Sequence, residues 1–191
     1  MLNVALDKNI NSYVDLFTEE EIKTYNNIAL EMKWENNWYS SSKMKKVKPK
    51  GYKHIHLGGS NIAPRKEYEI EQEWVKQIWD KVNPGLKLLR HYLNGHHAGQ
   101  PGGIHTDGVK EGLYTVIVYL TPNWQPEDGG SIEFWTSNLT ENSDIIKSYR
   151  PKAGRVVVFN STIPHVARSV ETDKFRISLV FKGELEDKQL Q

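Results

Sequence analysis

The segment Phe175-Arg-Ile-Ser-Leu-Val-Phe-Lys182 decides the fold, because its residues alternate between two chemical characters. Successive side chains of a β-strand point to opposite faces, so a strand here has one wholly apolar face. The opposite face carries Arg176 and Ser178. Such a strand lies either at the edge of a sheet or in the wall of a polar pocket, and the segment alone leaves both interpretations open.

Similar short apolar segments, separated by turn residues, continue through the second half of the chain. Residues such as Asn94-Gly95 and Asp128-Gly-Gly130 have typical turn chemistry. Eight strands of this length favour the two packed sheets of a double-stranded β-helix, the jelly roll. The predicted strands are 86–93, 104–107, 113–120, 131–135, 145–149, 155–160, 165–170 and 175–182.

Two amphipathic helices are predicted before the β-rich region. Thr18-Glu-Glu-Glu21 has the spacing of a capping box, and the apolar residues that follow at helical intervals predict a helix over about 18–34. A second apolar stripe predicts a helix over 67–82. We therefore expect a mainly β fold with flanking α-helices, in which N-terminal helices buttress the jelly-roll core.

The length and composition of the chain limit its class. Its 191 residues fit one domain over 1–191, with a helical buttress at about 1–85 and a jelly-roll core at about 86–182. The formal net charge of +1 gives no general attraction to nucleic acid or to an anionic membrane. Neither a membrane-spanning apolar run nor a signal peptide is visible, so a cytoplasmic protein is expected. Without cysteine, the chain has no disulfide, thiolate zinc site or cysteine nucleophile.

Residues 40–61 are predicted to form a loop, because Ser, Lys, Gly and Pro interrupt any periodic pattern there. Six lysines between Lys43 and Lys53 make this loop either a solvated linker or a basic lid that attracts an acidic substrate. His54 and His56 end the stretch and share one side of an extended backbone. They form a rival metal pair, but the matching position holds no carboxylate.

The segment Gly103-Ile-His-Thr-Asp107 places an imidazole and a carboxylate two residues apart, on the same side of an extended backbone. With a second histidine, His105 and Asp107 would form the 2-His-1-carboxylate arrangement that suits non-haem Fe(II). His165 precedes Arg176 by eleven residues, with one short turn between them, which places the two side chains on neighbouring strands. A carboxylate held by Arg176 could then reach a metal at His165.

His96 and His97 lie close to this motif, and we interpret them as loop or strand-end residues near the mouth of the site. Adjacent residues of a strand point to opposite faces, so the two imidazoles do not easily bind one ion. A contact between one of them and the substrate stays open.

The ordered set His105-Thr-Asp107, His165 and Arg176-Ile-Ser178 resembles the Fe(II)- and 2-oxoglutarate-dependent dioxygenases, and its spacing agrees throughout. Neighbouring segments such as Tyr92-Leu-Asn-Gly95 resemble the prolyl 4-hydroxylase-like branch, which has viral and bacterial members. The resemblance covers roughly residues 86–182. Collagen-type prolyl hydroxylases commonly have lysine where Arg176 stands, so the likeness is closer to the members that use arginine.

The resemblance also implies a set of binding residues. Its implied iron ligands are His105, Asp107 and His165. The far carboxylate of the cosubstrate 2-oxoglutarate would meet Arg176, with Ser178 beside it. Tyr119 is a hydroxyl donor to the same cosubstrate, and Tyr92 is a second candidate for contact with it. O₂ is the other cosubstrate, and ascorbate is an optional reductant that maintains Fe(II).

The activity implied by the resemblance is hydroxylation of a C–H bond, coupled to the conversion of 2-oxoglutarate to succinate and CO₂. A prolyl residue in a peptide or protein is the first expectation for the substrate. A free amino acid, another peptide side chain or a small metabolite is the alternative. Neither a membrane nor nucleic acid is an expected partner, and the oligomeric state is left open.

The rival interpretation is a non-catalytic cupin-like module that binds a metal or a small anion, or a degenerate oxygenase that serves as a binding protein. A degenerate copy would be expected to lose a metal ligand or Arg176, and this chain keeps them all. Nucleic-acid binding through the lysine-rich loop is a third interpretation, and its support is local.

Overall fold

The computed structural model describes residues 10–39, 51–59, 70–137 and 143–185. Within these ranges the chain forms two α-helices, one short 3₁₀ turn and ten strands. In chain order the elements are β1 (Asn11–Tyr13), α1 (Glu19–Glu31), β2 (Glu35–Trp38), β3 (Tyr52–Gly59), α2 (Glu73–Val82), β4 (Lys87–His96), β5 (Leu113–Tyr119), the 3₁₀ turn (Pro126–Asp128), β6 (Ile132–Trp135), β7 (Ile145–Tyr149), β8 (Val156–Asn160), β9 (His165–Ala167) and β10 (Arg176–Glu184).

The strands form two antiparallel sheets. The large sheet has seven strands in the order β1-β8-β5-β10-β4-β3-β2, and the small sheet has three in the order β7-β6-β9. An apolar cluster joins the two sheets, because Phe134 of β6 packs with Phe159 of β8 and with Val180 of β10. This mainly β architecture of two packed sheets confirms the predicted jelly-roll class.

The two helices cover the outer face of the large sheet. Ile22 of α1 and Ile78 of α2 are buried in one apolar cluster with Phe181 of β10. The ring of Trp79 lies 4.8 Å from that of Phe181, centroid to centroid, so α2 packs directly on the central strand. Burial of such side chains is the main source of stability at this interface, at ~1.5–3 kcal/mol for each large apolar residue.

The helix boundaries differ from the predicted ones. Thr18 caps α1 as the sequence predicts: its hydroxyl accepts from the Glu21 backbone N–H at 3.2 Å, and the Glu21 carboxylate accepts from the Thr18 N–H at 2.8 Å. However, α1 ends at Glu31, and α2 begins after Gln72 and not at residue 67. Residues 67–69 lie outside the described ranges. Helix ends depend on local caps, so a periodic apolar stripe fixes them poorly.

The predicted loop over residues 40–61 is wrong for residues 52–59, which form β3. This strand pairs with β4 in antiparallel register, with His54 opposite Asn94. Lysine and glycine residues conceal the alternation of polar and apolar residues in the sequence. The backbone of β3 pairs with N–H and C=O groups of β4 that would otherwise lie at the edge of the sheet. Residues 40–50, which include Lys43 to Lys50, and residues 60 and 61 lie outside the described ranges, so the lid interpretation stays a prediction.

The predicted strand over residues 104–107 is also wrong. Only His105 pairs there, through an isolated bridge to His165. Glycines at 102, 103 and 108 flank the ligand pair, and glycine favours loop conformations over a continuous strand. The strand predicted over residues 165–170 is shorter than expected and ends at Ala167.

In the part of the chain that the structure describes, no helix is both long enough and apolar enough to cross a membrane.

Candidate active site

Three ligand-type side chains meet between the two sheets. One nitrogen or oxygen atom from each of His105, Asp107 and His165 lies within 4.8 Å of the others. Asp107 Oδ1 is 3.5 Å from His105 Nε2, and Asp107 Oδ2 is 3.3 Å from His165 Nε2. The structure therefore brings together the three residues that the sequence predicts as metal ligands.

Backbone pairing holds these ligands in place. The His105 N–H donates to the His165 carbonyl at 3.0 Å, and the His165 N–H donates back to the His105 carbonyl at 2.9 Å. Directly opposed residues of an antiparallel pair project their side chains to the same face. The Asp107 N–H donates to the Ser161 carbonyl at 2.9 Å, which fixes the loop that carries the carboxylate.

Both imidazoles are oriented by a backbone carbonyl. His105 Nδ1 lies 2.8 Å from the Gly103 oxygen, and His165 Nδ1 lies 2.9 Å from the Ile163 oxygen. Because a carbonyl only accepts hydrogen bonds, each Nδ1 is the donor in this contact, and a neutral imidazole in this tautomer presents the Nε2 lone pair to a metal. This is the second contact that fixes the tautomer of metal-binding histidines.

Asp107 is a buried carboxylate with two donors on one oxygen. Its Oδ2 accepts from the Thr115 hydroxyl at 2.8 Å and contacts the Lys182 ammonium. Burial raises the pKa of the Asp107 carboxyl. The Lys182 charge and the neighbouring His165 and His105 lower this pKa by a larger amount, so the net pKa lies well below its ordinary value. Burial lowers the pKa of Lys182 to about 8, against the effect of Asp107. The carboxylate is therefore ionised and suited to a cation.

A pocket extends from these three residues along β10 to Arg176. The four residues that the sequence predicts for the cosubstrate all line it: Arg176, Ser178, Tyr119 and Tyr92. Apolar side chains line its middle, among them Ile117, Ile132 and Val180. The polar face of the Phe175–Lys182 segment is therefore the wall of a pocket and not a surface edge.

Arg176 is a fixed cation at the far end of the pocket. Its side chain is buried, and its Nη1 donates to the carbonyl oxygens of Gly130 and, at 3.3 Å, of Arg168. Gly130 has φ 70°, and a Cβ there would lie 3.0 Å from Nη1, so glycine permits this approach. Arg176 Nε has no hydrogen-bond partner within the described part of the chain. The other edge of the guanidinium is thus available to a carboxylate in the pocket.

The tyrosines of the pocket are neutral hydroxyl donors. Burial raises the pKa of Tyr119 above its ordinary value, although the Arg176 charge opposes this effect. Burial also raises the pKa of Tyr92 well above its ordinary value, with a smaller contribution from the Asp107 charge. Both hydroxyls therefore keep their protons near neutral pH and are able to donate to an anion.

The rival pair His54 and His56 does not form a metal site in the described part of the chain. His54 is buried, its Nδ1 lies 2.9 Å from the Asn94 side-chain oxygen, and its ring stacks on Trp38 at 4.2 Å. His56 is exposed. His54 is therefore a packed side chain that joins β3 to β4.

Lys182 lies beside the pocket and is not singled out in the sequence, whereas His96 is expected near the mouth of the site. Lys182 follows Val180 by two residues on the same face of β10, so the alternation itself places it in line with the pocket. His96 ends β4 directly opposite Arg176, lines the pocket and stacks on Tyr52 at 4.4 Å. His96 is therefore a strand-end residue, as expected from the sequence.

The donor set fits a facial metal centre. Two imidazole nitrogens and one carboxylate oxygen, with positions left open, suit non-haem Fe(II) and resemble the centre of Fe(II) oxygenases. The buried arginine in the same pocket fits a ligand that carries a carboxylate. Fold and site together define a class: a double-stranded β-helix with a 2-His-1-carboxylate site and an adjoining anion pocket.

Comparison with known families gives the same class. The family model of the 2OG-Fe(II) oxygenase superfamily matches residues 87–181, about half of the chain. The chain belongs to this superfamily, whose members use Fe(II) and 2-oxoglutarate. The match includes His105, Asp107, His165 and Arg176. No curated protein sequence matches the chain.

Solved structures share the fold over nearly the whole chain. A prolyl-4-hydroxylase from Pseudomonas putida is 17% identical, with a TM-score of 0.59 and 92% of each chain covered. A prolyl hydroxylase from Trichoplax adhaerens, in complex with a peptide fragment of the hypoxia inducible factor oxygen degradation domain, is 16% identical, with a TM-score of 0.65 and coverage of 96% of this chain and 86% of that one. HygX from Streptomyces hygroscopicus, with nickel and 2-oxoglutarate bound, is 11% identical, with a TM-score of 0.65 and coverage of 94% and 84%. The fold is thus shared with prolyl hydroxylases and with other oxygenases.

Proposed function

We propose that this oxygenase hydroxylates a C–H bond and converts 2-oxoglutarate to succinate and CO₂. The observation that supports this most strongly is the placement of three ligand atoms within 4.8 Å of one another in the same pocket as the buried Arg176. We call the part formed by His105, Asp107 and His165 the metal end of the pocket. The part formed by Arg176, Ser178 and Tyr119 is the cosubstrate end.

At the metal end, His105 and His165 would hold a metal ion through Nε2, and Asp107 would hold it through one carboxylate oxygen. Three protein ligands of this kind would leave coordination positions for a 2-oxo acid and for O₂. Bound iron supplies the activation of O₂, which protein side chains do not provide. The carbonyl contacts of both imidazoles fix the ring planes before the metal arrives, so little reorganisation is needed.

At the cosubstrate end, Arg176 receives the distal carboxylate of 2-oxoglutarate. The two carbonyls on its Nη1 fix the orientation of the guanidinium, which lines the pocket and whose Nε has no partner among the described residues. Ser178 and Tyr119 are directly opposite each other across β10 and β5, and their hydroxyls donate to the same carboxylate. Tyr92 lies on the neighbouring strand β4 and donates along the length of the cosubstrate. Ile117, Ile132 and Val180 keep water away from the section between the two ends.

A prolyl residue in a peptide is the substrate that we propose. Two structures with the same fold are prolyl hydroxylases, and one of them holds a peptide fragment. A succinate-release screen over prolyl peptides, free amino acids and nucleotides would identify the substrate class. Release stimulated by free amino acids alone would contradict the peptide assignment.

Anaerobic titration tests the reaction class directly. Folded protein with Fe(II) and 2-oxoglutarate is expected to show the weak visible absorption of a metal-bound 2-oxo acid. Succinate, which lacks the 2-oxo group, is the matched control and should give no such band. Absence of the band in folded, iron-loaded protein would contradict the proposal. A non-catalytic cupin-like module would bind the metal but release no succinate under O₂ with any substrate.

A further inference from the structure

Lys182 is a buried cation beside the carboxylate of the metal end. Its side chain is 7% exposed, and its ammonium contacts Asp107 Oδ2. The same ammonium donates to the Thr115 hydroxyl at 2.9 Å. Lys182 and Thr115 are directly opposite each other across β10 and β5, so the sheet register brings both to Asp107. The proposed reaction gives this lysine no task.

The hydrogen bonds around Asp107 are asymmetric. Thr115 accepts from Lys182, lies 3.0 Å from the Ser161 hydroxyl, and donates its own proton to Oδ2 at 2.8 Å. Both donors to Asp107 therefore converge on one oxygen. Each oxygen also faces one imidazole, since His105 Nε2 lies 3.5 Å from Oδ1 and His165 Nε2 lies 3.3 Å from Oδ2. Oδ1, however, receives neither the Thr115 nor the Lys182 donor. Oδ1 is the oxygen left for a metal.

The number of metal bonds that Asp107 makes affects the proposed chemistry. An octahedral ion with three protein ligands keeps three positions, of which a 2-oxo acid takes two and O₂ takes one. A carboxylate that binds through both oxygens removes one of these positions. A donor that occupies Oδ2 preserves the position by keeping Asp107 to a single metal bond.

The charge of Lys182 acts on the metal as well. A buried cation that pairs with a metal-binding carboxylate repels a second cation at the same carboxylate, and this repulsion is strong in a medium of low dielectric constant. In the metal-free protein, the same charge stabilises Asp107, which would otherwise be an unpaired buried anion. Lys182 should therefore stabilise the empty site and weaken metal binding.

We infer that Lys182 is a positioning residue, which holds Oδ2 of Asp107 so that Asp107 gives one bond to the metal, and which serves as the counter-charge of Asp107 when no metal is bound. This inference rests on the proposed metal site. In this role, Lys182 lowers the affinity of the site for a metal and keeps one more coordination position open.

The test is Lys182→Met, which keeps the length of the side chain and removes its charge. Mn(II) is the probe, because it binds similar ligands and its free and bound forms are separated by electron paramagnetic resonance. The variant is expected to bind Mn(II) about tenfold more tightly than the wild type in the absence of 2-oxoglutarate. The Mn(II)-loaded variant should bind 2-oxoglutarate less tightly, because Asp107 then competes for its position. The metal-free variant should melt at a lower temperature, and Mn(II) should restore more stability to it than to the wild type.

Lys174→Met is the matched control. Lys174 pairs with the buried carboxylate of Asp128 at 2.6 Å, away from the metal end. Its loss should lower the melting temperature without changing Mn(II) affinity, and Mn(II) should not restore the lost stability preferentially. Equal gains in Mn(II) affinity for both variants would indicate a general charge effect and would overturn the inference.

The outcomes separate this inference from the proposed function. If the wild type binds no Mn(II), the proposed metal site is wrong and the role of Lys182 falls with it. If the wild type binds Mn(II) and Lys182→Met binds it equally or more weakly, the role of Lys182 alone is wrong. Lys182→Gln is the second variant, and both variants are purified with Mn(II). Failure of both to fold at saturating Mn(II) would make Lys182 a structural residue and contradict the inference.

Discussion

The two ends of the pocket are built on backbone of different regularity. At the metal end, His105 belongs to an isolated bridge and His165 begins a strand of three residues. At the cosubstrate end, Arg176 and Ser178 lie on β10, which has nine residues and pairs with β4 on one side and β5 on the other. The metal end depends on local contacts to each side chain, whereas the cosubstrate end depends on a continuous sheet. Contacts to backbone carbonyls are enough to orient the imidazoles around one ion, but a pocket of fixed length needs continuous strands.

The largest expected effect comes from breaking the metal end. His165→Ala removes one of three ligands and should abolish both metal binding and succinate release. Metal content after dialysis and a coupled succinate assay measure the two losses. His97→Ala is the control, because the His97 ring stacks on Phe175 and does not face the metal end. Turnover in the His165 variant would exclude this residue from the metal ligands.

Breaking the cosubstrate end should have a large but selective effect. Arg176→Ala should raise the dissociation constant of 2-oxoglutarate by about 30- to 1,000-fold, which corresponds to ~2–4 kcal/mol for a buried charge contact. Fe(II) or Mn(II) binding should stay unchanged. The probe 2-oxopentanoate has a methyl group in place of the distal carboxylate, so its affinity should not change. Loss of the metal in this variant would mean that Arg176 supports the metal end instead.

A smaller effect at His96 would sharpen the comparison. His96 lies opposite Arg176 in the sheet, is 3% exposed, and its Nδ1 has no hydrogen-bond partner within the described ranges. Burial, together with the Arg176 charge, holds the pKa of His96 well below its ordinary value, so the imidazole is neutral. His96→Asn should weaken 2-oxoglutarate binding about fivefold to tenfold, which corresponds to ~1–1.4 kcal/mol, the net contribution of one typical hydrogen bond.

The neighbouring histidine provides the control for that variant. His97→Asn changes the adjacent side chain, which packs on Phe175 at 4.4 Å. It should leave 2-oxoglutarate affinity unchanged. Equal weakening by both substitutions, or weakening of 2-oxopentanoate as well, would show that His96 has a packing role and no contact with the distal carboxylate.

Local patterns in the sequence predict the parts of the site that depend on local geometry. Alternation along residues 175–182 places Arg176 and Ser178 on one face, and the structure puts that face inside the pocket. The spacing of His105 and Asp107 predicts a shared side, although the backbone there is a loop with a single bridge. The predicted proximity of the two side chains is still correct, because carbonyl contacts, and not a continuous strand, orient the imidazoles.

Features that depend on distant partners are not visible in the sequence. Residues 52–59 form β3 because β4 offers an open edge, and a stretch rich in lysine and glycine conceals this. In the sequence, Lys182 has the pattern of an ordinary polar residue at the end of a strand. Its contact with Asp107, which comes from a distant segment, is visible only in the folded chain. His96 ends β4 as expected, but its stacking on Tyr52 depends on the unpredicted strand β3.

Because His105 and His165 are paired only through an isolated bridge, a bound metal would also stabilise the fold at this point. A metal held by both residues would be a cross-link that closes the long loop of chain between them, which includes β5 to β8. Closing a loop of this kind removes conformational freedom from the unfolded chain, as a disulfide does. The chain has no cysteine to make such a link covalently. Amide hydrogen exchange in the segment around His105 should therefore slow when the metal binds, more than exchange in the long strands of the large sheet.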